Sequence, residues 1–132
     1  MKIYCGTDII EIERIREAIE QLGEKFLTRV YTQEEIHYCE QKGKQKFQHY
    51  AVRFAAKEAV FKAISKTLKD KYEISWKDIE ILNEEGGRPT ISLSPISNGK
   101  IENIDISMSH CKEYATATVV AMIKEREKNG II

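Results

Sequence analysis

One strand, a block of helices and then four strands predict an α+β fold, a long central helix packed on a mostly antiparallel sheet. Three observations carry this expectation. Residues 2–10 form a short run of β-branched and aromatic residues. The segment from Gln45 to Lys66 lacks both Pro and Gly and is rich in Ala, Phe and Lys, the composition of a helix. Residues 78–123 contain four alternating or β-branched runs separated by turn-forming residues.

The 132 residues fit one domain, expected to span residues 1–132, and 42% hydrophobic residues suffice for a core. Lys plus Arg equals Asp plus Glu at 21 each, so net charge gives no case for a nucleic-acid partner. Cys5, Cys39 and Cys111 are odd in number and widely spaced, which argues against a disulfide framework and a zinc site and fits a reducing compartment. No charged leader followed by an apolar run opens the chain, and no stretch approaches about 18 apolar residues. The expectation is a soluble cytoplasmic protein with no membrane contact.

In order, alternation along the first strand puts Ile3, Cys5, Thr7 and Ile9 on one face and Tyr4, Gly6, Asp8 and Ile10 on the other. Gly6 then leaves open space beside the Asp8 carboxylate. Asp8 reads either as a ligand-facing acid or as the N-cap of the next helix. From Glu11, the stripe Ile12, Ile15, Ile19, Leu22 predicts a helix ending at Gly23, with Arg14 and Arg16 exposed. A shorter helical piece carries Lys25, Phe26, Leu27, Arg29 and Val30. Its basic residues are either solvated or a patch for an acidic protein.

Thr32 followed by Glu35 matches a capping box, so a helix is expected from Gln33 to about Gln41. Lys42, Lys44 and Lys46 make a basic connection into the central helix, and His37 and His49 read as surface or packing histidines. Lys69–Trp76 is expected to be a polar, exposed loop. Asp78–Asn83 and Thr90–Ser94 read as a hairpin around Glu84–Gly87, where Gly86 and Gly87 either form the turn or admit a ligand closely. Pro95–Asn103 reads as a connection, Ile104–His110 and Tyr114–Ile123 as strands turning at Lys112-Glu113, and Lys124–Ile132 as a charged tail.

In the central helix, Phe47, Ala51, Phe54, Phe61 and Ser65 fall in one stripe at about 100° per residue. Glu58 lies about 40° from Phe54, inside that stripe, where a charge is costly unless paired or metal-bound. One reading is a surface pair with Lys62 one turn on. The other is a carboxylate that holds a cation, with Lys62 facing the same ligand and Arg53 and Lys57 forming a second basic edge. That arrangement would suit a divalent metal and a phosphorylated ligand.

Four motifs resemble a known family. Gly6-Thr-Asp8 with Arg14, Arg53-Phe-Ala-Ala-Lys-Glu-Ala-Val-Phe-Lys62, Gly87-Arg-Pro89 and Ser107-Met-Ser-His110 resemble the holo-acyl-carrier-protein synthases, the small homotrimeric class of 4′-phosphopantetheinyl transferases. Val52 stands where that family often has Gly, and Pro95–Asn103 lacks the longer helical insert of many relatives.

The resemblance implies the 4′-phosphopantetheinyl transferase fold. It also implies transfer of the 4′-phosphopantetheine arm of coenzyme A to a serine of apo-acyl carrier protein, releasing adenosine 3′,5′-bisphosphate and supporting fatty acid biosynthesis. By the same resemblance Asp8 and Glu58 bind Mg²⁺. Glu58 takes the serine proton, directly or through a water on the metal, and Lys62 offsets charge on the leaving phosphate. Lys44, Arg53, Lys62, Gly87, Arg88, Pro89 and His110 are the implied coenzyme A contacts. Arg14, with Lys25 and Arg29, would receive the carrier protein. Sites between the subunits of a homotrimer are implied too. A magnesium-dependent phosphohydrolase and a non-catalytic carrier-protein binder are the competing readings.

Overall fold

Strand β1 (Lys2–Glu11) leads straight into helix α1 (Ile12–Leu22), followed by α2 (Glu24–Val30) and α3 (Gln33–Glu40). A 3-10 turn at Gly43–Gln45 opens the longest helix, α4 (Lys46–Ile64). After it come β2 (Ile79–Asn83), β3 (Pro89–Leu93), β4 (Ile101–His110) and β5 (Tyr114–Ile123). The computed structural model describes residues 1–68, 74–93 and 100–124. Residues 69–73 of the expected loop, Ser94 of the expected strand, 95–99 of the expected connection and 125–132 of the expected tail lie outside them. Among the described residues no helix is long and apolar enough to cross a membrane.

The fold class is α+β, as expected, and every described strand pairing is antiparallel. The described residues form two sheets: a three-stranded one ordered β1-β5-β4 and the β2-β3 hairpin. Strand β4 begins at Ile101, three residues earlier than its alternation suggests. The reason is β5, which extends to Ile123 and gives Ile101 a partner across a register shift between Ile101 and Asn103. The loop ahead of β2 also ends differently from expectation. Ile74 is buried and Trp76 stacks on Phe54 with ring centroids 4.9 Å apart, so this end is packed rather than solvated.

Helix α4 lies on the inner face of the three-stranded sheet. Small residues make this possible: Ala55, Ala56, Ala59 and Ala63 on the helix, Ala117, Val119 and Ala121 on β5, all buried. Gly6 of β1 is the closest point. A Cβ there would stand 2.1 Å from the Ala59 carbonyl oxygen and 2.8 Å from the Ala63 nitrogen. The space expected beside Asp8 is therefore filled by the helix backbone. The glycine serves packing, and Asp8 looks out past the helix edge.

The stripe expected on α4 is not its core face. Ala55, Ala56, Ala59, Val60, Ala63 and Ile64 are fully buried, whereas Phe54, Glu58 and Phe61 are half-buried and Lys62 and Ser65 exposed. The helix is enclosed on nearly every side, at Tyr50, Arg53, Lys57, Val60 and Ile64 as well as at its alanines, and its open edge runs along Phe54, Glu58, Phe61 and Lys62. Glu58 stands on that open edge.

Arg53 and Lys57 correct the expected second basic margin, since both point inward and are buried. The Lys57 ammonium donates to the carbonyls of Val30 (2.7 Å) and Trp76 (3.0 Å) and pairs with Glu35 at 2.6 Å. Glu35 also closes the capping box with Thr32 and accepts from the Ile81 amide at 2.8 Å. Burial pushes the Lys57 amine down while Glu35 opposes it. One ion pair thus joins α2, α3, α4 and the hairpin at a point without water.

Candidate active site

Two cavities flank α4. The first, of about 370 Å³, is lined by Asp8, Ile9, Ile10, Glu11, Arg14, Phe54, Glu58 and Tyr114. Asp8 is inside β1 with Ala117 opposite, and the residue that caps α1 is Glu11, so the N-cap reading of Asp8 does not hold. The Lys62 ammonium reaches across from α4 to donate to the Thr7 carbonyl (2.8 Å) and to Asp8 Oδ1 (3.2 Å). Asp8, Glu58 and Lys62, far apart in sequence, thus meet where β1 passes the open edge of α4.

Their charges are coupled. Burial pushes the Glu58 carboxyl up, the charge of Asp8 pushes it further, and Lys62 opposes both. Burial is the larger cost at Glu58 and the Asp8 charge the second; Lys62 relieves part of it and a hard cation would relieve more. Among the described residues no three His, Cys, Asp or Glu side chains gather as a complete metal shell. The chain offers two carboxylates, which suits an ion that takes the rest of its oxygens from substrate phosphates and water.

The second cavity, of about 250 Å³, is lined by Tyr38, His49, Val52, Arg53, Asn83, Gly87, Pro89, Met108 and His110. It gathers Arg53, Gly87, Pro89 and His110 from three separate stretches of chain. The turn reading of Gly86-Gly87 holds: Gly87 has φ +93 and donates to the Glu84 carbonyl at 2.7 Å, with open space where its Cβ would be. Arg53 is 1% exposed, yet no carboxylate lies within 4 Å of it among the described residues. Its partners are the Ile81 carbonyl (3.2 Å), the His49 carbonyl (3.5 Å) and Asn83 Oδ1, with the Tyr38 ring face 4.3 Å from the guanidinium carbon. A buried cation held by neutral groups is uncompensated, and an anion in this cavity would compensate it.

Three expected contacts fall elsewhere in the chain. Lys44 is exposed on the 3-10 turn before α4, Arg88 pairs with Asp105 at 3.1 Å on the surface, and Lys62 stands beside the first cavity, bonded to Asp8 of its lining. Arg14 lines the first cavity, whereas Lys25 and Arg29 are exposed on α2. Tyr38, His49 and Asn83 went unread as site residues. His49 is the informative omission, because its ring centroid lies 6.0 Å from that of His110 and burial, with Arg53 and Lys42, pushes it down to about 4. No local sequence signal marks it, since the tertiary fold creates that neighbourhood.

Among the described residues the two cavities share no lining residue. Outside them, the outer face of the three-stranded sheet exposes Ile3 (69%), Ile9 (66%) and Val120 (41%) around a ladder of Thr7, Thr118 and Ser107.

Residues 4–119 match the model of the 4′-phosphopantetheinyl transferase superfamily. The chain is 42% identical to the holo-[acyl-carrier-protein] synthase of Ruminiclostridium cellulolyticum over 99% of its own length and 100% of the relative's. It is 46% identical to that of Protochlamydia amoebophila, covering 91% of this chain and 98% of the other. Among solved structures, the Helicobacter pylori holo-[acyl-carrier-protein] synthase in complex with coenzyme A superimposes with a TM-score of 0.79 at 33% identity, covering 89% and 99% of the two chains.

Proposed function

Because the chain belongs to the holo-[acyl-carrier-protein] synthases of the 4′-phosphopantetheinyl transferase superfamily, we propose that residues 1–132 act as one transferase domain, moving the 4′-phosphopantetheine arm of coenzyme A onto a serine of apo-acyl carrier protein. The product would feed fatty acid biosynthesis, and the reaction would take place in the cytoplasm. The serine oxygen forms a bond to the β-phosphorus of the coenzyme A pyrophosphate. The bond from that phosphorus to the bridging oxygen breaks, and adenosine 3′,5′-bisphosphate leaves. The serine proton goes to Glu58, whose raised carboxyl is a better base near neutrality than an ordinary one. Lys62, anchored by Thr7 and Asp8, faces the leaving phosphate with a donor to spare.

Asp8 and Glu58 would hold Mg²⁺, which when bound neutralises pyrophosphate charge. Arg53, Gly87, Pro89 and His110 would receive the adenosine and 3′-phosphate end in the second cavity, with Lys44 and Arg88, outside its lining, as further coenzyme A contacts. Arg14, Lys25 and Arg29 would meet the acidic carrier protein. The absence of shared lining residues supports a site completed by a neighbouring subunit, and the apolar outer sheet face supports the homotrimer.

The observation that carries the reading is the coupling of Glu58 to Asp8 beside Lys62. The test is incubation with coenzyme A, Mg²⁺ and apo-carrier protein, followed by intact-mass analysis of the acceptor. The acceptor should gain one phosphopantetheine, and Asp8→Asn and Glu58→Gln should each abolish the gain. Coenzyme A cleavage without an acceptor would favour a hydrolase instead.

A further inference from the structure

Asn83 closes β2 and touches both halves of the second cavity. Its Oδ1 accepts from Arg53 Nη2 on α4, and its Nδ2 donates to the Gly87 carbonyl at 2.8 Å. The amide orientation is fixed by chemistry, because the guanidinium can only donate and the carbonyl can only accept. A carboxylate can accept from the guanidinium but has no hydrogen to donate to the Gly87 carbonyl.

All the acceptors around Arg53 are neutral. Two are backbone carbonyls that any sequence would supply, and Asn83 is the side-chain member. A carboxylate in its place would satisfy the same guanidinium N–H but also cancel the charge, competing with an incoming anion. It would also set an oxygen against the Gly87 carbonyl.

We propose that Asn83 is a positioning residue that aims Arg53 at the 3′-phosphate of coenzyme A, keeps its charge uncompensated, and locks it to the Gly87-Arg88-Pro89 turn. Selectivity for a 3′-phosphorylated nucleotide is then set by a residue that need not touch the phosphate. This inference rests on the reading that the second cavity receives the nucleotide end.

The test compares coenzyme A with 3′-dephospho-coenzyme A as donor for wild type, Asn83→Ala and Asn83→Asp, measuring kcat and KM separately. Asn83 is half-buried at a strand end, so both variants should fold, and thermal melting checks this. With Asn83→Asp, KM for coenzyme A should rise about tenfold, and the loss with the dephosphorylated donor should be at most a few-fold. Asn83→Ala should lie between wild type and Asn83→Asp in selectivity. Inhibition by adenosine 3′,5′-bisphosphate should weaken in the same order. Equal losses with both donors would mean that Asn83 is merely structural, and unchanged selectivity would likewise overturn the inference. If wild type itself fails to distinguish the donors, the reading of the cavity falls, and the inference with it.

Discussion

Glu58 carries opposite consequences for stability and for chemistry. Its carboxyl is raised from 4.5 by burial first and by Asp8 second. The folded chain therefore holds that proton more tightly than the unfolded chain, so stability is lost as pH rises through the folded value and stays lost above it. Without divalent cations, Glu58→Gln should melt above wild type at pH 8, by on the order of a degree or two, with the gap closing by pH 4. The same variant should lose about a hundredfold or more in turnover. A lower melting temperature at pH 8 would show that the Lys62 attraction outweighs burial. His49 has the opposite sign. Its ring is pushed down to about 4, so its contribution is complete above its usual range near 6.5 and fades as pH falls toward 4. His49→Gln should flatten that part of the acid limb in a melting series. Residue types and order made Asp8, Glu58 and Lys62 readable as candidates. Arg53 was readable as an anion contact, but not as a buried side chain in a neutral cage, because partners such as Asn83 and Tyr38 arrive from elements distant in sequence.

At the scale of elements, the proposed catalytic residues depend on how closely α4 approaches β1. Gly6→Ala should force the two apart, since the new methyl would meet the Ala59 carbonyl at 2.1 Å, backbone that cannot swing aside. Overpacking of this kind costs about 1–3 kcal/mol, and turnover should fall as well because Lys62 reaches Asp8 across that same contact. Denaturant melts and initial rates would show both losses; a fall in stability without one in turnover would separate the packing from the site. The Lys57–Glu35 pair is a second such joint. Lys57→Met should cost about 3–5 kcal/mol, because it leaves the Glu35 charge buried and two carbonyls without donors. Each strand and helix was legible from pattern, including the capping box at Thr32, because local propensity and alternation agree there. What was not legible was the inner side of α4. A stripe of phenylalanines looks like a core face, yet the closest contacts with the sheet are made by Ala55, Ala56, Ala59 and Ala63, and the phenylalanines are left half-buried at the rim of the core.

At the scale of the whole molecule, a transferase needs its carboxylates and its anion-binding pocket on one substrate, but this chain places them in cavities with no lining residue in common. If the first cavity of one subunit faces the second cavity of its neighbour, the outer sheet face with Ile3, Ile9 and Val120 is the natural contact. Val120→Lys should then dissociate the assembly in sedimentation and abolish turnover, although Val120 lines neither cavity. A sharper measurement uses two inactive variants. Asp8→Asn damages the first cavity and Arg53→Gln the second, so each homo-oligomer should be inactive. Co-expressed in equal amounts and purified without selecting for mixed assemblies, an intact site forms wherever an undamaged first cavity meets an undamaged second one. For a cyclic assembly with random mixing this happens at one interface in four, so about a quarter of wild-type activity should return. If each chain instead completes its own site, every site in the mixture carries one lesion and no activity returns, whatever the oligomeric state.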